Sequence, residues 1–228
     1  MVKTRPRIDC VAVCIDYDDF LALTVDRYRE TFDEVIVVTT ASDERTIALC
    51  EAACVRCVLS PRVHFRGLDF NLPALINDGC GALVTPEWVC KIDPDIYLPK
   101  DARAHLDGSL DEPDTLWGTR RYFCDTPARF QEFSIDEDYG LLEPPYEEAG
   151  DDVIGFFQLF NVRSRYLRDR QKPYEEDHYA PPSLTNDRLF SSQWPPDRRR
   201  RLPFDVVHLG LEARGRNWKG RRSPRFDA

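Results

Sequence analysis

The chain has 228 residues, 42% hydrophobic and 11% aromatic, which is enough to close a sizeable core and excludes an intrinsically disordered protein. No apolar run of about 18 residues occurs, so no membrane-spanning helix is expected. The formal charge of −9 is uneven: residues 191–228 hold ten Lys/Arg and four Asp/Glu, a net +6 that leaves −15 on residues 1–190, which argues against a general nucleic-acid binder but leaves a local anion site open.

From the N-terminus, Ile8 to Ile15 (IDCVAVCI) is a short apolar run that ends at Asp16. It reads as the first strand of a sheet buried on both faces, not as a secretory leader, and a cytoplasmic location follows as the expectation. Asp18 or Asp19 stands where a helix would be capped, and Phe20, Leu21, Thr24, Val25, Tyr28 and Phe32 recur at helical spacing. Glu34 to Thr40 predicts a second strand, Ser42 caps a helix through about Ala53, and Val55 to Leu59 predicts a third strand. This β-α-β-α-β order marks a parallel α/β sheet, in which ligands bind at the carboxyl ends of the strands. Asp16, Tyr17 and the stretch Thr39 to Asp43 would then share one rim.

Further on, residues 60–70 read as a loop and Asn71 to Leu83 as a helix with Leu72, Leu75 and Ile76 inward. Helices near Lys100 to Leu106 and Ser183 to Ser192 and strands near Leu116 to Tyr122, Gly155 to Val162 and Phe204 to Leu209 complete the pattern. Residues 125–152 carry ten acids against one Arg and read as an excursion outside the core. With no repeat and no linker, one domain is expected.

The stretch Glu87 to Lys100, EWVCKIDPDIYLPK, carries the chemistry. An apolar strand stops at Asp93 and Asp95, and in extended chain the side chains of i and i+2 point the same way. Both carboxylates would then reach one site, where two hard oxygen ligands suit Mg²⁺ or Mn²⁺ held together with substrate phosphates. The competing reading is a turn, since Asp and Pro both favour turns. Cys50, Cys54 and Cys57 at i, i+4 and i+7 would share a helix face, either as an apolar stripe or as part of a zinc site with Cys80 or Cys90 as fourth ligand.

Taken together, the pieces after the first strand resemble a small GT-A-fold, family-2-like glycosyltransferase of the phage and bacterial type. They are VVTTASD, FNLPALIND, WVCKIDPDIYLP, GFFQLFN, TNDRLFSSQWP, HLG and NWKGR, and the likeness covers most of residues 8–222. The resemblance implies an α/β domain with a Rossmann-like, mostly parallel central sheet and helices on both faces. Residues 8–100 would form the nucleotide-sugar half, 115–210 the acceptor half and 211–228 a basic C-terminal flap. It further implies Mn²⁺ or Mg²⁺ held by Asp95, Asp93 and His208, with a nucleoside-diphosphate sugar as donor. Tyr17 and Asp43 would hold the nucleobase and ribose, and Asn77 would contact the donor. Arg221 would reach the diphosphate and Trp218 would close over it. The acceptor hydroxyl, as on a hydroxymethylated base of phage DNA, a saccharide or a protein, would be deprotonated by Asp187. Asp151–Asp152 and the acids at 175–177 stand behind Asp187 as candidates for that base. One departure is Leu72-Pro73, where members of the family carry Lys-Gly.

For several of these residues a purely architectural role competes: His208 as a hydrogen-bonded core histidine, and Asp43 as the acid at a helix start. A rival enzyme reading comes from CIDYDDF and VVTT, which resemble the first two motifs of haloacid-dehalogenase-type phosphatases, with Asp16 as nucleophile, Asp18 beside it and Lys91 as a later motif. That reading leaves Asp93, Asp95 and HLG…NWKGR without a role. A nucleotide-binding module without turnover is the non-enzyme alternative.

Overall fold

The computed structural model of the chain describes residues 5–68, 70–144, 155–176, 184–210 and 224–226. Strands β1 (Ile8–Val13), β2 (Glu34–Thr39), β3 (Arg56–Leu59), β4 (Trp88–Ile92), β5 (Ile96–Tyr97), β6 (Leu116–Cys124), β7 (Phe157–Asn161) and β8 (Arg199–Leu209) form one eight-stranded sheet in the order β3-β2-β1-β4-β7-β6-β8-β5. The pairings β1·β2, β1·β4, β2·β3 and β6·β8 are parallel, whereas β7 is antiparallel to β4 and β6, and β5 to β8. The α/β class is therefore as expected, with a mixed sheet. Because β7 runs against its neighbours, its start lies at the same edge as the ends of β1, β2, β4, β6 and β8. That edge gathers every rim residue discussed below.

Six helices cover the sheet: α1 (Asp18–Thr31), α2 (Glu44–Ala52), α3 (Leu72–Ala82), α4 (Ala102–Ser109), α5 (Pro127–Asp136) and α6 (Leu184–Ser191). Strand alternation divides the core into two layers. Cys10, Ala12, Trp88, Cys90, Ile92, Phe157 and Leu159 face the layer of Phe20, Tyr28, Leu106 and Phe133 from α1, α4 and α5. Val11, Val13, Val38, Val89 and Phe160 face the layer of Leu75, Ile76, Phe190 and Trp194 from α3 and the α6 region. On this second side α3 lies very close to the sheet: a Cβ at Gly79 would come 2.5 Å from Val11 Cγ1 and 2.8 Å from Val38 Cγ2. Tyr174 and Phe190 stack at 4.0 Å with an interplanar angle of 6°. Among the described residues no helix is long and apolar enough to cross a membrane.

Several expected boundaries change for local reasons. Asp43, not Ser42, caps α2 by accepting from Thr46 N, and Asn71 caps α3 by accepting from Ala74 N at 3.0 Å. Asp18 and Asp19 are the first two residues inside α1, whose N-cap position is Tyr17, and both acids meet the tail: Arg225 Nη1 and Nη2 reach Asp18 at 3.1 and 2.8 Å, and Phe226 N donates to Asp19 Oδ2 at 2.5 Å. The stretch 61–67 is a kinked 3₁₀ segment. Part of the acidic excursion belongs to the core, since α5 buries Phe130 and Phe133. Strand β8 starts at Arg199; Arg198 and Arg200 pair with Glu112, and Arg199 Nε donates to Trp194 O. The cysteine face also breaks up, because α2 stops at Ala52, Cys54 turns left-handed at φ 53° and Cys57 lies on β3.

The Asp93-Pro94-Asp95 turn is held from three sides. Tyr28 OH of α1 donates to Asp93 O at 2.8 Å and Ile96 O at 2.7 Å, and Thr24 Oγ1 donates to Pro94 O at 2.9 Å. Leu209 N of β8 donates to Asp95 O at 2.8 Å, and Asp93 N donates to Phe156 O at 3.0 Å. Four consecutive carbonyls are thus satisfied at a place where unpaired ones would be costly. Burial pushes the Tyr28 phenol far above its usual pKa, so it remains a donor. A Tyr28→Phe variant takes one hydrogen bond from each of the Asp93 and Ile96 carbonyls and is expected to lose about 1–3 kcal/mol, read as a lower urea midpoint at unchanged slope; unchanged stability would mean that the turn does not depend on this hydroxyl.

Candidate active site

Asp43 fastens the first two rim loops together. Its Oδ2 accepts from Asp16 N and from Thr39 Oγ1, each at 2.9 Å, and its Oδ1 accepts from Thr46 N at 3.2 Å. Asp16 reaches this position by a left-handed turn at φ 57°, which aspartate tolerates better than most residues. Of the roughly four acceptor positions of a carboxylate, these three bonds use three. Tyr17 is only 8% exposed, and its ring lies 5.3 Å from Phe20, which in turn packs on Phe226. The ring belongs to the core layer, so little of its face is presented outward.

The two carboxylates of the DPD turn diverge. The i, i+2 expectation holds for extended chain, but Ile96 N donates to Asp93 O at 3.2 Å and closes a turn at Pro94. Asp93 therefore keeps the direction of Lys91, two residues before it, and its Oδ1 accepts from Lys91 Nζ at 2.5 Å. Asp95 faces β8, where its Oδ2 lies 3.6 Å from His208 Nε2. Ile96 and His208 are register partners across β5 and β8, and Phe123 of β6 packs 5.6 Å from the imidazole.

Lys91 is the residue that sequence reasoning left on the margin. It lies within β4, its side chain 2% exposed, and it also donates to Gly155 O at the start of β7. Asp187 of α6 lies directly against Gly155, where any Cβ would collide with its carboxylate. Burial alone would lower the pKa of the Lys91 ammonium, but the carboxylates of Asp93, Asp187 and Asp95 outweigh it and hold the pKa above the ordinary lysine value. Gln158, the register partner of Lys91 on β7, donates to Asp187 O at 3.4 Å and accepts from Tyr174 OH at 2.7 Å. The signal was present in WVCKI, since a lysine in a strand buried on both faces demands a counter-charge.

As metal ligands, Asp95 and His208 fit as a pair. Adjacent ligands on an octahedral ion with bonds near 2.1 Å lie about 3 Å apart, close to the 3.6 Å seen. The remaining positions would fall to phosphate and water, the usual way Mg²⁺ is held. Asp93 does not join them, and among the described residues no group of three or more His, Cys, Asp or Glu is placed to hold a metal ion. Asp93 is thus set apart from the Asp95–His208 pair, and Cys54 and Cys57 leave the helix face that carries Cys50.

Asn77 is engaged within the fold. Buried at 4% exposure, it donates to Tyr174 O at 2.8 Å and Glu176 Oε1 at 3.0 Å and accepts from Tyr174 N at 3.0 Å. It brackets the segment whose tyrosine supports Gln158, and Arg62 pairs with both Asp78 and Glu176 beside it. Burial would raise the Glu176 pKa, but the bonds from Arg62 and Asn77 outweigh it and hold it below the usual carboxylate value. Trp218, Arg221, Asp151, Asp152 and Asp177 lie outside the described residues.

No family profile matches the chain, and no curated protein does. Among solved structures it is similar to a glucosyl-3-phosphoglycerate synthase from Mycobacterium tuberculosis in complex with Mn²⁺, UDP and glucosyl-3-phosphoglycerate, at 12% identity over 94% of this chain and 74% of that one, with a TM-score of 0.49. It is likewise similar to a 4-diphosphocytidyl-2C-methyl-D-erythritol synthase from Anaerococcus prevotii (14% identity, 95% and 90% covered, TM-score 0.49). A third is a mannosyl-3-phosphoglycerate synthase from Rubrobacter xylanophilus (12% identity, 68% and 54% covered, TM-score 0.45). The chain thus spans little more than half the length of the last, as it does for another mycobacterial structure, where 54% is covered.

An Asn77→Ala variant loses three buried hydrogen bonds and is expected to cost about 1–3 kcal/mol in a urea titration. Wild-type stability in that titration would return Asn77 to the ligand-binding set.

Proposed function

We propose that the chain is a metal-dependent glycosyltransferase that moves a sugar from a nucleoside-diphosphate donor to a hydroxyl acceptor with inversion. The observation that carries this reading is the Asp95–His208 pair at the sheet rim, 3.6 Å apart, on a turn whose carbonyls are all engaged. A pair held this way needs little reorganisation to bind a cation, which is what preorganised stabilisation requires. A divalent ion there, Mn²⁺ or Mg²⁺, would neutralise the charge that develops on a departing nucleoside diphosphate.

The other rim residues divide the work. Asp43 keeps one acceptor position for a ribose hydroxyl beside the edge of Tyr17, in a donor half covering about residues 8–100. Asp187, held at Gly155 in the acceptor half (about 115–210), takes the proton of the acceptor hydroxyl. The acceptor oxygen then bonds to the anomeric carbon as the carbon–oxygen bond to the diphosphate breaks and the nucleoside diphosphate leaves. Arg221 and Trp218, in the basic segment 211–228, complete the donor pocket in this reading. An acceptor on a hydroxymethylated base of DNA fits that basic segment, whose positive charge would meet phosphates.

The phosphatase reading has less support. Asp18 is occupied by the Arg225 guanidinium, the Thr39 hydroxyl is directed to Asp43, and Lys91 serves Asp93.

Two measurements test the transferase. A nucleoside diphosphate with Mn²⁺ at a hundredfold excess over its dissociation constant is expected to raise Tm by about 5–10 °C, the equivalent of about 2.7 kcal/mol. Asp95→Ala is expected to abolish both that shift and transfer from the nucleotide sugar. No shift with any nucleoside diphosphate would sink the reading, and phosphate-ester hydrolysis lost in Asp16→Asn but kept in Asp95→Ala would replace it with the phosphatase.

A further inference from the structure

Buried lysines demand an explanation, and Lys91 is the largest fully buried cationic side chain among the described residues. Its neighbours come from three separate elements. Asp93 stands on the turn after β4, Gly155 opens β7, and Asp187 belongs to α6 and lies against Gly155. Cross-strand from it, Gln158 donates to the backbone of Asp187 and is itself held by Tyr174. Strand alternation puts Lys91 on the α3/α6 side of the sheet, whereas Asp95 turns toward β8 and His208. The DPD turn thus has one carboxylate on each side of the rim.

We propose that Lys91 is a positioning residue, a buried clasp whose ammonium ties the Asp93 carboxylate to the Gly155–Asp187 contact and so sets α6 relative to the turn that carries Asp95. The role given to Asp187 rests on the transferase reading; the clasp itself rests on the ion pair and the packing alone. Two consequences follow from the placement. Asp93 acts as the counter-ion of Lys91 and stays outside the metal shell, so Asp95 and His208 are the protein's contribution to it. The base-bearing helix and the metal-bearing turn are coupled by one side chain, with no contact between Asp187 and Asp95 needed.

A lysine kept for general stability would lower the melting temperature when lost and nothing else. A clasp predicts more. Lys91→Met, or the charge-balanced pair Lys91→Met/Asp93→Asn where the single variant folds poorly, is expected to speed amide hydrogen exchange in the 184–191 helix about tenfold over the rest of the sheet. Mn²⁺ titrations followed by electron paramagnetic resonance separate the two aspartates: Asp93→Asn is expected to bind Mn²⁺ within about threefold of wild type and Asp95→Asn to lose binding by about tenfold or more. On whichever nucleotide sugar the wild type hydrolyses, the Lys91 variant is expected to lose kcat with the donor KM unchanged. Uniform exchange across the sheet in the Lys91 variants would overturn the clasp, as would equal loss of Mn²⁺ in the two aspartate variants. A wild-type protein that binds no Mn²⁺ and turns over no nucleotide sugar would instead overturn the transferase reading, and the exchange measurement would still decide the clasp.

Discussion

An ammonium in a sheet interior constrains everything around it. Removing such an ion from water costs several kcal/mol even after relaxation, so Lys91 is tolerable in β4 only where carboxylates come to meet it. Asp93 does so from two residues on, and Asp187 from a helix far along the chain; the Gly155 carbonyl supplies a further acceptor. The start of β7 and the seat of α6 both follow from that requirement, and the rim acquires a fixed cluster of alternating charge. Without the lysine, two half-buried carboxylates would be left close together with no cation between them.

The same economy appears at the turn. Proline at position 94 ends the strand, so the chain cannot satisfy its carbonyls by continuing the ladder. The donors come instead from a helix that precedes the turn by about seventy residues and from the last strand of the sheet. Thr24 and Tyr28 look like ordinary inward residues of an amphipathic helix, and they are buried as such. Their hydroxyls are what make the placement of Asp95 rigid.

Legibility in the sequence followed the range of each interaction. The parallel β1–β4 half was readable because apolar runs and helical spacing are local, and the carboxyl-end rule then put Asp16, Asp43 and Asp95 at one edge. What stayed hidden depended on partners distant in the chain. The i, i+2 rule sent Asp93 and Asp95 to the same side, and a turn bond from Ile96 with a lysine two residues earlier separated them. Asn77 has the look of a solvated helix residue until Tyr174 and Glu176 close over it. His208 could be read as core or ligand, and it lies at the boundary of both, packed on Phe123 with its Nε2 toward Asp95. The α5 segment is hard to read because the ten acids of residues 125–152 conceal two phenylalanines at helical spacing.

Gly155 has a consequence of a genetic kind. Its constraint is spatial: a Cβ there would fall on the Asp187 carboxylate, so a side chain enters only if that carboxylate swings aside. In a saturation library, position 155 would therefore report on where the Asp187 carboxylate goes before it reports on folding. Gly155→Ala would keep the fold and displace the carboxylate, and in the transferase reading a screen for abundance would part company with a screen for activity at this one pair of residues.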